Sequence, residues 1–319
     1  MSDLCVIGSM IMDMSAEVNH FPLPGQTVIA NSVHFSLGGK GCNQCVAASR
    51  LKSSCEMIGM IGKDTYGEQF LKLLEEEHIK HDFVFIEETA PTGFSQIQID
   101  STKENKIVVI PGANHCFTSS YIDELKESIM NSKLVMVQME LPLEVLYALI
   151  DFCNENHKKI LLNSAPANII KDHYLNKIDY LTPNETELSI ISQTSMHEEN
   201  WISVAVEKLI KKGIKKVIVT LGHKGCLIAD SKQQKWIHGY KVQVKDTVAA
   251  GDAFNGALAT ALVNGWDIEY GAKFANAVGA LTVTKKGAVP SLPTLSEVEK
   301  FLENQEVAIY GQSIIEKCE

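Results

Sequence analysis

Short apolar runs at Leu4 to Gly8, Met57 to Ile61, Leu134 to Gln138, Ile160 to Asn163 and Val217 to Leu221 recur along the chain, separated by segments with helical spacing. They do not alternate apolar with polar residues, as strands covered by helices on both faces do not. The succession of strands and helices predicts an α/β fold with a central, mostly parallel sheet, helices on both faces and right-handed crossovers. Such sheets bind ligands at the carboxyl ends of their strands. Two stretches break the rhythm. Residues 13–36 hold Phe21-Pro22-Leu23-Pro24-Gly25 ahead of a β-prone run from Thr27 to Phe35, and residues 92–110 alternate around Phe94, Ile97 and Ile99 before Ile107 to Ile110. Both predict strands of a small separate sheet, inserted into a single domain that spans 1–319. No repeat interrupts this organisation, and the tail beyond Leu302 carries no functional signal.

The most informative segment is Asp246-Thr247-Val248-Ala249-Ala250-Gly251-Asp252-Ala253-Phe254. From Asp252 onward, Phe254, Ala257, Leu258, Ala261 and Leu262 have the spacing of a buried helical face, and Gly265 is a stop signal. Ala249, Ala250 and Gly251 therefore stand at a helix N-terminus, where free N–H groups and the helix dipole favour an anion. A carboxylate at Asp252 would repel a bound phosphate unless it takes a proton from a hydroxyl that attacks that phosphate, as a small-molecule kinase requires. The plainer reading is that Asp252 caps the helix.

A second motif, Leu37-Gly38-Gly39-Lys40-Gly41-Cys42-Asn43-Gln44, runs into the small-residue helix Cys45 to Leu51. Gly38, Gly39 and Gly41 would let backbone approach a ligand, while Lys40 and Asn43 offer donors to hydroxyls. This is not a Walker loop, because the four-residue spacer before Gly-Lys and the following Ser or Thr are missing.

Composition narrows the partners. The 319 residues are 45% hydrophobic, enough for a sizeable core, and the formal net charge of -10 argues against nucleic acid or an anionic membrane. No apolar run reaches membrane-spanning length and the N-terminus lacks a basic leader, so a cytoplasmic location is expected. Eight cysteines are scattered through predicted strands and helices and read as reduced thiols; Cys42 and Cys45 form a CxxC but read as small residues of a packed helix. His78 and His81 share a helical face at a metal-like spacing, yet Glu75, Glu76, Glu77 and Lys80 around them mark a solvated helix.

With both motifs in view, the chain resembles the ribokinase branch of the PfkB family of carbohydrate kinases. The resemblance runs from Val6-Ile7-Gly8-Ser9 to Lys286-Gly287-Ala288-Val289-Pro290-Ser291, and includes Thr92-Gly93, Pro111-Gly112-Ala113-Asn114, Gln138-Met139-Glu140, Asn163-Ser164-Ala165-Pro166-Ala167, Thr182-Pro183-Asn184-Glu185-Thr186-Glu187 and Thr220-Leu221-Gly222-His223-Lys224-Gly225. It implies a three-layer ribokinase-like fold whose small sheet, at about 13–36 and 92–110, is a lid over the sugar and a meeting surface for a homodimer. The implied activity is ATP-dependent phosphorylation of a pentose, ribose or 2-deoxyribose, at the C5 hydroxyl, with Mg2+ and a monovalent cation, K+, as cofactors. The partners implied are thus a small sugar and ATP.

The resemblance also distributes roles. It makes Asp252 the general base and gives Ala249, Ala250 and Gly251 the transferring phosphoryl group. Asp13, Gly38, Gly39, Lys40, Asn43 and Glu140 match the sugar-binding set; Glu140 and Asp13 also admit readings as ordinary surface charges. Asn184, Thr220, Gly222, Gly225 and Asn276 match nucleotide-binding positions, and Glu187 the magnesium region, although Thr182-Pro183-Asn184-Glu185 is equally a helix start. Asp246, Ser291 and the carbonyls of Val248, Thr282, Lys285 and Gly287 match the potassium site.

Departures from the family pattern bear on the substrate. Ribokinases carry Asn where this chain has Ile11, two residues before Asp13. An apolar wall against a ring hydroxyl costs about 1–3 kcal/mol if no water compensates, which brings 2-deoxyribose forward beside ribose. Cys45 and Lys52 stand where the family prefers small residues. Other readings are a nucleoside or sugar-phosphate kinase on the same fold, although residues 13–36 hold no Lys or Arg for a sugar phosphate, and a sugar-binding regulatory protein, which would not need to keep Asp252.

Overall fold

The computed structural model describes residues 2–102 and 104–315. Among the described residues thirteen strands form two sheets. The strands are β1 (Leu4–Ile7), β2 (Ile11–Glu17), β3 (Ser32–Gly38), β4 (Cys55–Gly62), β5 (Val84–Glu87), β6 (Gly93–Ile99) and β7 (Asn105–Ile110). They continue with β8 (Leu134–Gln138), β9 (Ile160–Asn163), β10 (Tyr180–Thr182), β11 (Lys216–Thr220), β12 (Gly225–Ala229) and β13 (Gln234–His238). The α-helices are α1 (Lys40–Arg50), α2 (Thr65–Glu76), α3 (Ile122–Asn131), α4 (Leu143–Glu155) and α5 (Asp172–Leu175). After these come α6 (Glu185–Ser192), α7 (Trp201–Lys211), α8 (Ala250–Val263), α9 (Ile268–Thr282) and α10 (Leu295–Ile315).

The large sheet has the order β13-β12-β11-β10-β9-β8-β1-β4-β5. It is parallel from β5 to β11, and antiparallel only where β12 and β13 close one edge. Its central strands are largely apolar because both faces are covered. On β1, Leu4 and Val6 join one apolar core with α1, α2, α8, α9 and α10, while Cys5 and Ile7 join another with α3 to α7. Leu134 and Met136 against Val135 and Val137 repeat the division on β8. The three-layer α/β fold expected from the sequence is the fold observed.

The small sheet has the order β3-β2-β6-β7, with β2 and β6 parallel and both edges antiparallel. It begins at Ile11, two residues earlier than the insertion boundary predicted at 13, and β3 starts at Ser32 rather than Thr27. Pro22, Pro24 and Gly25 hold the intervening chain out of register until the Asn31 N–H reaches the Glu17 carbonyl at 2.7 Å. Apolar side chains remain exposed on its outer strands, notably Val33 and Phe35 on β3 and Ile107 and Val108 on β7.

Three local readings are refined. Helix α2 stops at Glu76, and His78 adopts φ 56°, so His78 and His81 share no helical face. Cys42 and Cys45 are buried free thiols in α1, as the packed-helix reading requires; Cys318 lies outside the described residues. Lys52 sits at φ 70°, a left-handed turn that explains why a small residue would be preferred there. Among the described residues no helix is long and apolar enough to cross a membrane.

Candidate active site

Helix α8 opens as the sequence predicts, with Ala249 as its N-cap at φ 60° and Asp252 in its first turn. The first intrahelical bond runs from Ala253 N–H to Ala249 C=O at 2.8 Å, which leaves the Gly251 and Asp252 N–H groups at the helix mouth, while Ala250 N–H reaches back to the Thr247 carbonyl at 3.4 Å. Gly251 has open space where a Cβ would stand. Asp252 does not cap its helix: the N-cap makes no side-chain bond. Its carboxylate instead faces α1, accepting from Asn43 Nδ2 at 2.9 Å and Gln44 Nε2 at 3.0 Å. Two N–H donors fix the carboxylate and leave lone pairs for a third donor, as a general base needs.

Helix α1 starts at Gly39, whose φ of 86° suits glycine, and a Cβ there would meet Ile11 N at 2.7 Å. Gly41 lies against the Gly8-Ser9 backbone, where a Cβ would fall 2.6 Å from Ser9 N. A Cβ on Gly38 would meet Asp13 Oδ2 at 2.3 Å. Each of these glycines thus has a packing reason for its small size, since protein atoms fill the space where a Cβ would stand. The close approach brings β2, α1 and the end of β8 together. Glu140, just past β8, accepts from the Lys40 backbone N–H at 3.0 Å and from the Ser9 hydroxyl. Asp13 accepts from the Ser95 hydroxyl on β6.

Charge concentrates here. Burial, with the Glu140 and Asp252 carboxylates nearby, pushes the Asp13 carboxyl up to about 6 against the Ser95 bond and Lys40. Burial opposes the charge on Lys40, but the carboxylates of Asp252, Glu140, Glu187 and Asp13 hold its ammonium above the ordinary range. Asn43 Oδ1 is buried and unpaired. An orphaned acceptor beside three carboxylates suits a ligand that brings several hydroxyl donors. Ile11 is 4% exposed and lies two residues from Asp13 on the same face of β2, yet it belongs to neither apolar core.

Two cavities meet at the α8 mouth. The smaller, about 240 Å³, is lined by Lys40, Asn163, Glu187, Asp252 and Asn255 together with the Ala249-Ala250-Gly251 turn. The larger, about 720 Å³, takes in Thr220, Gly222, Gly225 and Asn276, with Phe254, Tyr240 and Val283 as apolar walls. Asn184, Thr220, Thr247, Ala250 and Gly251 border both. Asn184 and Glu187 form a capping box on α6: Glu187 N–H donates to Asn184 Oδ1 at 2.9 Å and Asn184 N–H to Glu187 Oε2 at 3.0 Å. The helix-start reading of this motif holds, and the buried Glu187 carboxylate also lines the smaller cavity. Burial raises the Glu187 carboxyl above its usual range, against the bonds from Asn184 and Ser164 and the charge of Lys40. Asn276 directs Nδ2 to the Ile237 and His238 carbonyls.

Of the positions matched to a cation, Asp246, Val248 and Gly287 are tied together. Asp246 accepts from Val248 N–H at 3.1 Å and Gly287 N–H at 2.9 Å, tying the segment before the anion turn to the loop after α9. Thr282 and Ser291 are fully buried. The Lys285 side chain turns away to Glu297, leaving its carbonyl as the group of interest. Arg50, the one arginine in the sequence, ends α1 and anchors this loop, donating to the Val289 and Leu292 carbonyls at 2.8 Å and to Glu77. Oxygen donors of this kind fit a hard monovalent cation.

Sequence reasoning missed Gln44, Ser95, Asn163 and Asn255. Gln44 is the hub of a buried chain: it accepts from Gln138 Nε2 at 2.8 Å and donates to Asn163 Oδ1 at 3.1 Å as well as to Asp252. Asn163 donates to the Thr182 carbonyl at 2.9 Å, and the Thr182 hydroxyl to Asn255 at 2.5 Å. The available signal was polar residues, Gln138, Asn163 and Thr182, at the carboxyl ends of three otherwise apolar strands.

Residues 1–295 match the pfkB family carbohydrate kinase. The chain belongs to that family. It is 36% identical over 301 residues to a ribokinase of Haemophilus influenzae, covering 94% of this chain and 98% of that one. It is 34% identical over 301 residues to a deoxyribokinase of Salmonella typhi, with the same coverage. Its fold matches that of Arabidopsis thaliana ribokinase complexed with ribose and ATP, with a TM-score of 0.89 and 31% identity over 94% of this chain and 98% of that one. This carbohydrate kinase thus resembles enzymes named for ribose and for deoxyribose about equally.

Proposed function

We propose that this PfkB-family kinase transfers the terminal phosphoryl group of ATP to the C5 hydroxyl of a pentose, accepting both ribose and 2-deoxyribose. The observation that carries the reading is the meeting of two cavities at one helix mouth, with Asp252 on the sugar side and the Ala249-Ala250-Gly251 backbone between them. Asp252, oriented by Asn43 and Gln44, takes the hydroxyl proton as the oxygen attacks. The N–H groups of the turn and the Lys40 ammonium stabilise charge on the phosphoryl oxygens. Asp13, Asn43 and Glu140 accept the remaining hydroxyls. The larger cavity takes the nucleotide, its base against apolar walls and its phosphates toward Asn184 and Gly251.

Mg2+ would be carried mainly on phosphate oxygens and water, with buried Glu187 reached through water. When bound, Mg2+ neutralises charge on the phosphates. Asp246 with the 282–291 loop would hold K+, bracing the segment that leads into the anion turn.

Ile11 supplies the finer reading. Its place beside Asp13, outside both cores, sets methyl groups against one edge of the sugar and favours 2-deoxyribose relative to a site with Asn there. The exposed apolar strands β3 and β7 support a homodimer through the small sheet, and a monomeric sedimentation profile at micromolar concentration would sink that assignment. Initial rates with ATP and a panel of ribose, 2-deoxyribose, nucleosides and fructose phosphates test the whole. The pentoses are expected to have the highest kcat/KM, and a nucleoside or sugar phosphate at the head of the panel overturns the reading.

A further inference from the structure

Four chain passages connect the large and small sheets, and they converge on one residue pair, Met10 and Asn114. Met10 stands between β1 and β2, outside the paired register of either strand. Its backbone is paired by a side chain: Met10 N–H donates to Asn114 Oδ1 at 3.0 Å, and Asn114 Nδ2 donates back to the Met10 carbonyl at 2.9 Å. Asn114 Nδ2 also reaches the Pro111 carbonyl at 2.9 Å, at the passage leaving β7. The passage into β6 lies against the same amide, since a Cβ on Gly93 would fall 2.3 Å from Asn114 Nδ2 and 2.8 Å from the Met10 carbonyl. At the fourth passage, between β3 and α1, a Cβ on Gly39 would fall 3.1 Å from Met10 Cα.

Asn114 is fully buried and its amide touches no catalytic group. Its placement nevertheless bears on the site. Met10 directly precedes Ile11, and Asp13 lies three residues on, whereas Glu140, Asn43 and Asp252 belong to the large-sheet body. The sugar groups thus sit on two bodies, and their separation depends on the angle at Met10. A hydrophobic residue in place of Asn114 would leave a buried N–H and carbonyl unpaired, and the chain would turn to satisfy them. The side chain does here what a neighbouring strand would do, but without extending either sheet across the junction.

We propose that Asn114 is a positioning residue for the sugar: by pairing both backbone groups of Met10 and holding Pro111, it fixes the small sheet against the large one so that Ile11 and Asp13 face Glu140, Asn43 and Asp252. The proposal rests on the pentose-kinase reading for its kinetic test but not for its structural one. The nucleotide cavity is built from the other end of the sheet and α8, so it does not depend on this junction.

The test compares wild type, Asn114→Ala and Asn114→Ser with Ile129→Val, a buried truncation in α3 that lowers core packing without touching the junction. Asn114→Ala is expected to raise KM for ribose and 2-deoxyribose about tenfold while KM for ATP stays within about twofold. Ile129→Val is expected to move neither. Should Asn114→Ala fail to fold, Asn114→Ser carries the same comparison with a smaller shift. Equal changes in both KM values, or none in either, overturn the proposal. If wild type phosphorylates neither pentose, the functional reading fails separately, and hydrogen exchange decides for Asn114. Faster exchange across residues 10–17 with 134–163 unchanged supports the positioning role, and unaltered exchange at 10–17 overturns it.

Discussion

The Gln44 side-chain amide stands 3.0 Å from Asp252 Oδ1, joining two residues 208 positions apart in the chain. Gln44 is held in turn by Gln138 at 2.8 Å, and all three are buried, so the carboxylate has one preferred orientation. Asp252→Asn keeps the shape of the site but removes the base, and turnover is expected to fall by several orders of magnitude with nucleotide binding retained. Gln44→Ala leaves the base but frees it, so kcat is expected to fall roughly ten- to a hundredfold with little change in KM for ATP. Steady-state kinetics on both variants checks the assignment. Asp252→Asn with more than roughly a tenth of wild-type turnover, or Gln44→Ala with unchanged kcat, would contradict it.

Asp13 predicts a pH dependence. Its folded value of about 6 lies above the ordinary 3.8 of an aspartate, chiefly through burial, so the folded protein holds this proton more tightly than the unfolded chain. The group therefore favours folding most below about 4, and that contribution is lost as pH rises through about 6. Function has the opposite sign, because only the ionised carboxylate accepts hydroxyl donors without restraint. The kcat/KM for the sugar is expected to rise through an inflection near 6, which Asp13→Asn abolishes. An inflection that survives in Asp13→Asn assigns it to another group and removes Asp13 from the titration.

The Asp246 carboxylate joins the N–H groups of Val248 and Gly287, and Arg50 ties the carbonyls just beyond. A cation among these oxygens would stiffen the segment that leads into Ala249, itself held at φ 60°. KCl is expected to raise kcat above the level in NaCl of equal ionic strength, and Asp246→Ala is expected to erase that difference. Equal rates in the two salts with wild-type protein count against the site.

How much was legible in the sequence follows from how local each signal is. The α8 mouth was legible because Ala249 to Asp252 and the apolar positions beyond it lie within a few turns. In the large sheet β1, β4, β8, β9 and β11 were legible because burial makes each a mostly apolar run, whereas the edge strand β13, Gln234-Lys235-Trp236-Ile237-His238, is largely exposed and carries no such signal. Gln44 and Ser95 were not, since their roles come from Asp252 on α8 and Asp13 on β2, partners that only the folded topology supplies. The packing role of Gly41 was not legible, because a sequence does not reveal which backbone approaches; Gly8 and Ser9 turn out to be its neighbours. His78 was misplaced on a helix because the acidic run Glu75 to Glu77 continues the pattern past the point where the backbone turns left-handed.

Ile11 gives the sharpest test of substrate choice. It is the first residue of β2, paired with Gly38 and Gly93, and it shares its strand face with Asp13. The space beside both paired glycines is taken by polar side chains, Asp13 beside Gly38 and Asn114 beside Gly93, and Ile11 is buried outside either core. An apolar wall rejects an added hydroxyl only weakly, whereas a site built to bond that hydroxyl discriminates strongly against its loss. Ile11→Asn is therefore expected to shift the ratio of kcat/KM values toward ribose over 2-deoxyribose by roughly tenfold or more, the value of one hydrogen bond made in place of one unsatisfied group. Thermal stability serves as the control. If Ile11→Asn lowers the melting temperature and leaves the ratio unchanged, Ile11 packs structurally and another group reads the 2-hydroxyl; measuring both sugars with both proteins separates the two outcomes.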